Sequence, residues 1–407
     1  MSRRPAKLRP QQRELAVLAV ALVLAMSTWF STAAVLPQLR TAWNLSSAAG
    51  AWLTIAVQLG FVVGAFFIAV TSLADRIEPR RLILIGSVGA AAANLSLVVS
   101  DAFVPALFAR GITGAFLAAV YPPALKAMSS WYRTGRGFAL GVMIGALTIG
   151  SALPHLINAL GGLEWRATML AASLLTLLGG LIADRATSDG PHATKGAGFR
   201  TDALRSIAAN RDFRLASVGY FGHMWELYAM WAWIAAFYSD VFTSDRAASL
   251  TAFVVIGSGA AGSIYAGVMS DRRTRSEAAA LAMRWSASTA VVTGFLIDAP
   301  FPIVVGIGIV WGFWVVADSA QFSTIVTEVV DPRVVGTALT VQLAMGFVLT
   351  VLTIFLVPVI RDAHGWGWAL FILAPGPVVG AWAMRALRLG PSRPEPSAAP
   401  PYVSPFF

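Results

Sequence analysis

The chain has no cysteine, which excludes disulfides, thiolate metal sites and a cysteine nucleophile. Its only histidines are His155, His192, His223 and His364, and they show no metal-ligand spacing. No metal, no cofactor and no nucleophile–base constellation is therefore expected, and an enzyme is the least supported class. Charge is also scarce: Asp, Glu, Lys and Arg make up 12% of the 407 residues, about half the ~25% usual for a soluble domain. Hydrophobic residues fill the space, at 57%, and the mean hydropathy is +0.70. A soluble surface cannot be covered from this composition.

The apolar residues fall in runs of roughly 20, the length that crosses ~30 Å of hydrocarbon. Twelve spans are expected, near 15–36, 48–72, 81–99, 103–128, 137–160, 166–183, 215–238, 248–269, 278–297, 302–326, 337–360 and 367–387. The runs do not alternate, so helices are expected rather than a barrel. The basic N-terminus resembles a signal peptide, but the run after it continues to Leu36, long enough for an uncleaved first helix. With the N-terminus inside, only Arg40, Arg166, Arg246 and Arg361 fall in outer loops and Arg110 within a span; the other 25 of the 30 lysines and arginines are cytoplasmic. This asymmetry predicts both termini in the cytoplasm of a multi-pass cell-membrane protein. It also accounts for the net charge of +10 without nucleic acid. The expected organisation is an N-terminal bundle over 1–183, a cytoplasmic loop over 184–214, a C-terminal bundle over 215–389 and a disordered Pro- and Ser-rich tail over 390–407.

A short acid–base cluster occurs twice between apolar runs. One copy is Leu73-Ala74-Asp75-Arg76-Ile77-Glu78-Pro79-Arg80-Arg81, the other Gly267-Val268-Met269-Ser270-Asp271-Arg272-Arg273-Thr274-Arg275. Asp75 and Asp271 stand about half the chain apart, which indicates an internal duplication. These loops resemble the G-x-L-A-D-R-x-G-R-R loop of the major facilitator superfamily and its weaker second copy. Thr71 and Glu78 replace the two glycines in the first copy. Arg110-Gly-Ile-Thr113-Gly114-Ala-Phe-Leu-Ala118 in span 4 resembles that family's R-x-x-x-G-x-x-x-A motif. Span 5 reads Gly137-x-x-x-Gly141-x-x-x-Gly145, with Ala146 where the family's exporters carry Pro. The resemblance implies an all-α membrane protein of twelve transmembrane helices in two pseudo-symmetric six-helix bundles. It implies a gating role for Asp75, Arg76, Arg80, Arg81, Asp271, Arg272 and Arg275, in which a carboxylate faces a neighbouring helix N-terminus and favours the outward-open state. The first copy is the better match and is expected to be the stronger latch.

Residues too polar for their depth are the remaining candidates. Arg110 lies roughly 10 Å inside its span, and Tyr121 returns to nearly the same face before the kink expected at Pro122-Pro123. Span 7 places His223, Glu226 and Trp233 on one face. Span 10 carries Trp314, Asp318 and Gln321. Glu226 and Asp318 are expected to face one central cavity and to carry protons. Thr148, Ser151 and His155 form a polar stripe in span 5. Weaker polar candidates are Thr28, Ser31, Thr32, Gln58, Thr340 and Gln342. The expectation is a monomeric, proton-coupled secondary transporter of a small molecule, working by alternating access across the lipid bilayer. The alternatives are a small-anion permease like those for nitrate, nitrite and cyanate, and a non-transporting sensor on the same fold.

Overall fold

A computed structural model describes residues 9–100, 102–132, 134–161, 164–192 and 198–388; these residues form helices and connecting turns, with no strand among them. The tail over 390–407 lies outside the described residues. Counting each broken helix once and setting aside the short helices at Leu73–Arg76 and Leu204–Ala209, twelve long helices follow in order among the described residues. The first, α1, runs Pro10–Ala25, passes through a 3-10 turn at Met26–Thr28 and resumes as Ser31–Ala34 and Leu36–Trp43. Next come α2 (Ser47–Val70), α3 (Pro79–Leu95), α4 (Phe103–Leu117 and Tyr121–Ser129), α5 (Arg136–Leu160) and α6 (Trp165–Ala186). A linker with a short helix at Leu204–Ala209 leads to α7 (Arg211–Val241), α8 (Asp245–Arg272) and α9 (Arg275–Thr293). Then comes α10 (Phe301–Ala317 and Ser319–Val329). Gly365, at φ 79°, turns the chain between α11 (335–364) and α12 (366–371, continued as Pro375–Arg388).

Local chemistry fixes the ends and breaks. The Ser46 hydroxyl accepts from Ala49 N and caps α2, and Thr274 with Glu277 forms a capping box on α9. α4 breaks at 118–120, just before Tyr121-Pro122-Pro123, because each proline removes a backbone donor and crowds the preceding turn. Eight helical stretches are long and apolar enough to cross a membrane, and one of them contains both α11 and α12. The other three helices are less apolar. α1 is cut by its break, α7 is rich in Trp and Tyr beside Glu226, and α9 carries Arg284.

The packing repeats from one half to the other. In the first half α1 packs on α5 and α6, α2 on α4, and α3 on α6; in the second α7 packs on α11 and α12, α8 on α10, and α9 on α12. Each pair in the first set becomes its counterpart in the second on adding six helices, so the halves are pseudo-symmetric six-helix bundles. They meet along α5–α8 and α2–α11, two seams that are themselves related by the same shift. Glycine sets the closeness of the first seam. A Cβ on Gly137 would lie 2.5 Å from the Gly267 carbonyl oxygen, and one on Gly267 would lie 2.4 Å from the Gly137 carbonyl oxygen. The span-5 glycines thus allow backbone-to-backbone approach between halves.

Candidate functional site

A cavity of about 550 Å³ lies between the halves, within the size range of small-molecule sites. Stripes at helical spacing build its walls. α5 contributes Arg136, Leu140, Ile144 and Leu147, and α11 contributes Val335, Leu339, Leu343 and Phe347. Tyr220, His223, Leu227 and Trp231 face it from α7, Tyr121 and Lys126 from α4, and Ser319, Ser323 and Thr327 from α10. Eleven residues separate Arg136 from Leu147, so this wall is roughly 16 Å deep by helical rise. Asp75, Lys126 and Arg136 mark the end that carries the two acidic loops. Asp75 Oδ1 pairs with Lys126 Nζ at 2.6 Å, and Lys126 also donates to Ala74 O. The linker crosses this end: Gly198 and Phe199 line the cavity, the Phe199 ring packs edge-on against Phe66 of α2, and Arg200 N donates to Thr337 Oγ1 of α11.

The opposite end is sealed by aromatic rings from both halves. Trp29 stacks on Tyr228 and Phe347, Phe61 packs 4.5 Å from Phe347, and Phe30 packs on Tyr228 and Trp231. All six are buried. Beyond them Asn158 Nδ2 donates to Ala34 O and to Ser249 Oγ of α8, tying the halves together. Each ring pair contributes ~0.5–1.5 kcal/mol beyond its area.

The deep polar residues separate into different places. Arg110 is fully buried and does not face the cavity. Its guanidinium donates to Thr28 O, Trp29 O, Leu53 O, Ser31 Oγ and Asn94 Oδ1. The 3-10 turn at Met26–Thr28 leaves carbonyls without their helical donors, and backbone groups cannot stay unpaired at membrane depth. Arg110 is thus a clamp on the break in α1, which corrects the cavity role expected from its depth.

Glu226 is also placed away from the cavity. It is wedged between α7, α9 and α10, accepting from Ser286 Oγ at 2.6 Å and from Trp311 Nε1 at 2.7 Å. Trp233 faces α11, where its Nε1 donates to Ile354 O. Trp314 stacks on the half-exposed Trp285 at the periphery. The single face expected for His223, Glu226 and Trp233 is therefore not formed, because α7 is surrounded on several sides. His223 and Tyr121 do line the cavity. His223 Nδ1 lies 2.7 Å from Asp318 Oδ1, and its Nε2 lies 3.1 Å from Ser319 Oγ. Asp318 stands behind His223 at the break between the two parts of α10, buried and not itself a wall residue. Gln321 is buried, and neither of its amide atoms has a hydrogen-bond partner among the described residues. Thr340 and Gln342 line the cavity, whereas the buried Ser151 and His155 lie outside its walls and are likewise unpartnered.

The two acidic loops are engaged differently. Asp271 accepts from Gly137 N at 3.0 Å and Phe138 N at 2.9 Å, the first turn of α5 in the other half. Asp75 pairs with Lys126 in its own half. The contact between a loop carboxylate and a helix N-terminus, expected for both copies, is thus seen at the second. Arg80 and Arg81 pair locally with Glu78, and Arg275 with Glu328 at the end of α10. Arg76 and Arg272 are exposed.

Several residues of the cavity and its seal escape a reading by depth. Lys126 sits where a positive-inside anchor is expected, and Trp29, Phe61 and Phe347 look like ordinary core. Asn94 gives a usable signal, an amide sixteen residues before Arg110 and at membrane depth.

Comparison with known proteins agrees with this geometry. The Major Facilitator Superfamily profile matches residues 18–272, and the chain belongs to that family. It is 28% identical over 162 residues to the multidrug efflux pump LfrA of Mycolicibacterium smegmatis, covering 39% of this chain and 32% of that protein. It is 27% identical over 170 residues to the uncharacterized transporter YgaY of Escherichia coli O157:H7, covering 40% and 42%. The matches thus span less than half of these relatives. The crystal structure of a bacterial homologue of the human lysosomal transporter Spinster, in an inward-facing and occupied conformation, superposes with a TM-score of 0.66 at 15% identity over 94% of this chain and 98% of that one. The fold is that of a multi-pass membrane protein of the Major Facilitator Superfamily.

Proposed function

We propose that the chain is a proton-coupled secondary transporter that moves a predominantly apolar small molecule by alternating access. The observation that carries this reading is one cavity between two pseudo-symmetric halves, closed at one end by rings from both. Rocking about the seams would move the opening from one end to the other. The loop end is taken as cytoplasmic, supported by the bias of lysine and arginine towards it. His223 and Asp318 are the coupling pair, since His223 meets the cavity and Asp318 is held directly behind it. Among the described lining residues the only acid is Asp75, engaged by Lys126, while Lys126, Arg136 and His223 also face the space. That balance favours neutral or anionic substrates over cations. The efflux pump among the relatives makes export the first direction to test.

The test is transport by the purified chain in proteoliposomes, with and without an imposed pH gradient, over a panel of neutral, anionic and cationic aromatic compounds. Accumulation that needs the gradient supports the reading. Binding without net movement across the panel would favour the sensor, and accumulation restricted to small inorganic anions would favour the anion permease.

A further inference from the structure

A second cavity, of about 300 Å³, lies away from the central one, at the same end of the molecule. Its walls come from α9, α12 and the end of α8 with the turn after it. The basic residues there are Arg273, Arg284, Arg385 and Arg388, and Glu277 is the only acid among the described lining residues. Arg388 Nη2 pairs with Glu277 Oε1 at 2.7 Å, so the one negative charge is already engaged. Arg273, Arg284 and Arg385 have no ionic partner among the described residues. Three unneutralised guanidinium groups therefore share one small space.

The geometry suits a ligand with an anionic head and an apolar body. Arg284 is rooted nine residues into α9, at a depth of roughly 13 Å. Its Nε donates back to Ala280 O, one turn earlier, so the side chain runs towards the loop end as a snorkelling arginine does. Met269, Ala280, Leu281 and Met384 supply the apolar part of the wall. Trp285, next in sequence to Arg284, is 50% exposed, and Trp382, three residues before Arg385 on the same helix, is 64% exposed. Exposed rings thus stand on the two helices that carry the basic cleft.

We propose that this cleft binds the phosphate headgroup of an anionic phospholipid, with Arg273, Arg284 and Arg385 contacting the phosphate and the acyl chains lying along Trp285 and Trp382. Basic pockets between helices at a membrane surface recognise such headgroups. The ordinary alternative is a set of independent topology anchors. These would show neither a saturable site nor a preference for phosphate charge.

The test uses the full-length chain in detergent, titrated by native mass spectrometry with dioctanoyl-phosphatidylglycerol, with dioctanoyl-phosphatidylcholine and with inorganic phosphate. Saturable binding of the phosphatidylglycerol is expected, and the triple variant Arg273→Gln/Arg284→Gln/Arg385→Gln should bind it roughly a hundredfold more weakly, at ~1 kcal/mol per arginine. Arg284→Gln alone, the fallback should the triple variant not fold, should weaken it about fivefold. Removing three other basic residues, Arg9, Arg13 and Arg205, should leave the affinity unchanged. Equal binding of the two lipids, or equal loss in this control variant, would overturn the site. Competition by inorganic phosphate at the same concentration would reassign the cleft to free phosphate and end the lipid assignment.

Discussion

The two halves use deep charge in opposite ways. The first half buries Arg110, whose guanidinium donates to the broken backbone of α1 and to its neighbours. The second half buries two acids, one locked between helices as Glu226, the other paired with a histidine on the cavity wall. Depth alone marks a residue that is costly to place. What the residue does is decided by which partners its neighbours supply. Where the partners are backbone carbonyls at a break, the charge holds the fold; where the partner is a titratable group on a cavity, it can take part in a cycle.

The largest expected effect tests the structural side of that comparison. Arg110→Met would take the guanidinium donor from Trp29 O and one donor each from Thr28 O, Ser31 Oγ and Asn94 Oδ1, and each unmet buried group costs ~1–3 kcal/mol. Folded yield and melting temperature in detergent should collapse. Arg110→Lys should recover only part, because one ammonium cannot span these acceptors. A methionine variant with wild-type melting would show that the clamp is unnecessary.

The next effect separates the acids. Asp318→Asn and His223→Gln should abolish pH-driven accumulation while leaving counterflow exchange measurable. Glu226→Gln should lower stability by about 1–3 kcal/mol yet keep the pH dependence of transport. The reverse pattern would place the coupling site at Glu226, within the α7–α9–α10 packing.

A third and smaller effect concerns the seam. Gly137→Ala places a methyl 2.5 Å from the Gly267 carbonyl oxygen, an overpacking cost of ~1–3 kcal/mol. The chain has no cysteine, so a cysteine pair at 138 and 268 can report the separation. Disulfide formation should slow in the alanine variant; an unchanged rate would mean that the seam already breathes by that much.

Much of the fold was legible because lipid imposes long apolar runs and a duplicated chain repeats its loops. The start of α7 at Arg211, four residues before the expected boundary, reflects the Asn210 side chain capping its first turn. The site was less legible. Helical spacing put His223, Glu226 and Trp233 on one face, but a helix near a bundle centre has neighbours on every side, so periodicity could not distinguish Asp318 and the cavity from Ser286, Trp311 and the packed interior. The aromatic seal was hidden for a related reason: Trp29, Phe61 and Phe347 come from three helices, and nothing in their local sequence distinguishes a seal between the halves from a core.

The smallest effect tests the other contrast between the halves, the two loops. Asp271 accepts two backbone N–H groups at the start of α5, where the helix dipole favours negative charge by ~0.3–1 kcal/mol. Asn at 271 keeps one acceptor and loses the charge. The cross-half contact should therefore weaken by less than about 1 kcal/mol, a shift of up to about fivefold between open and closed populations at that end. Asp75 is bonded inside its own half, to a lysine whose side chain is 36% exposed, and such pairs contribute ~0–1 kcal/mol. Lys126 also retains Ala74 O as an acceptor, so Asp75→Asn should leave the α5–α8 distance where it is. Spin labels on α5 and α8 near the loop end would read both variants. A broadened distance distribution is expected for Asp271→Asn and an unaltered one for Asp75→Asn. The first loop should matter instead in the alternate state, when the end of α2 approaches the start of α11 across what is now the cavity. Its substitution should thus alter transport rate without altering the resting distances. Equal broadening in the two variants would show that both loops bear on the same seam and that the asymmetry between them has no mechanical meaning.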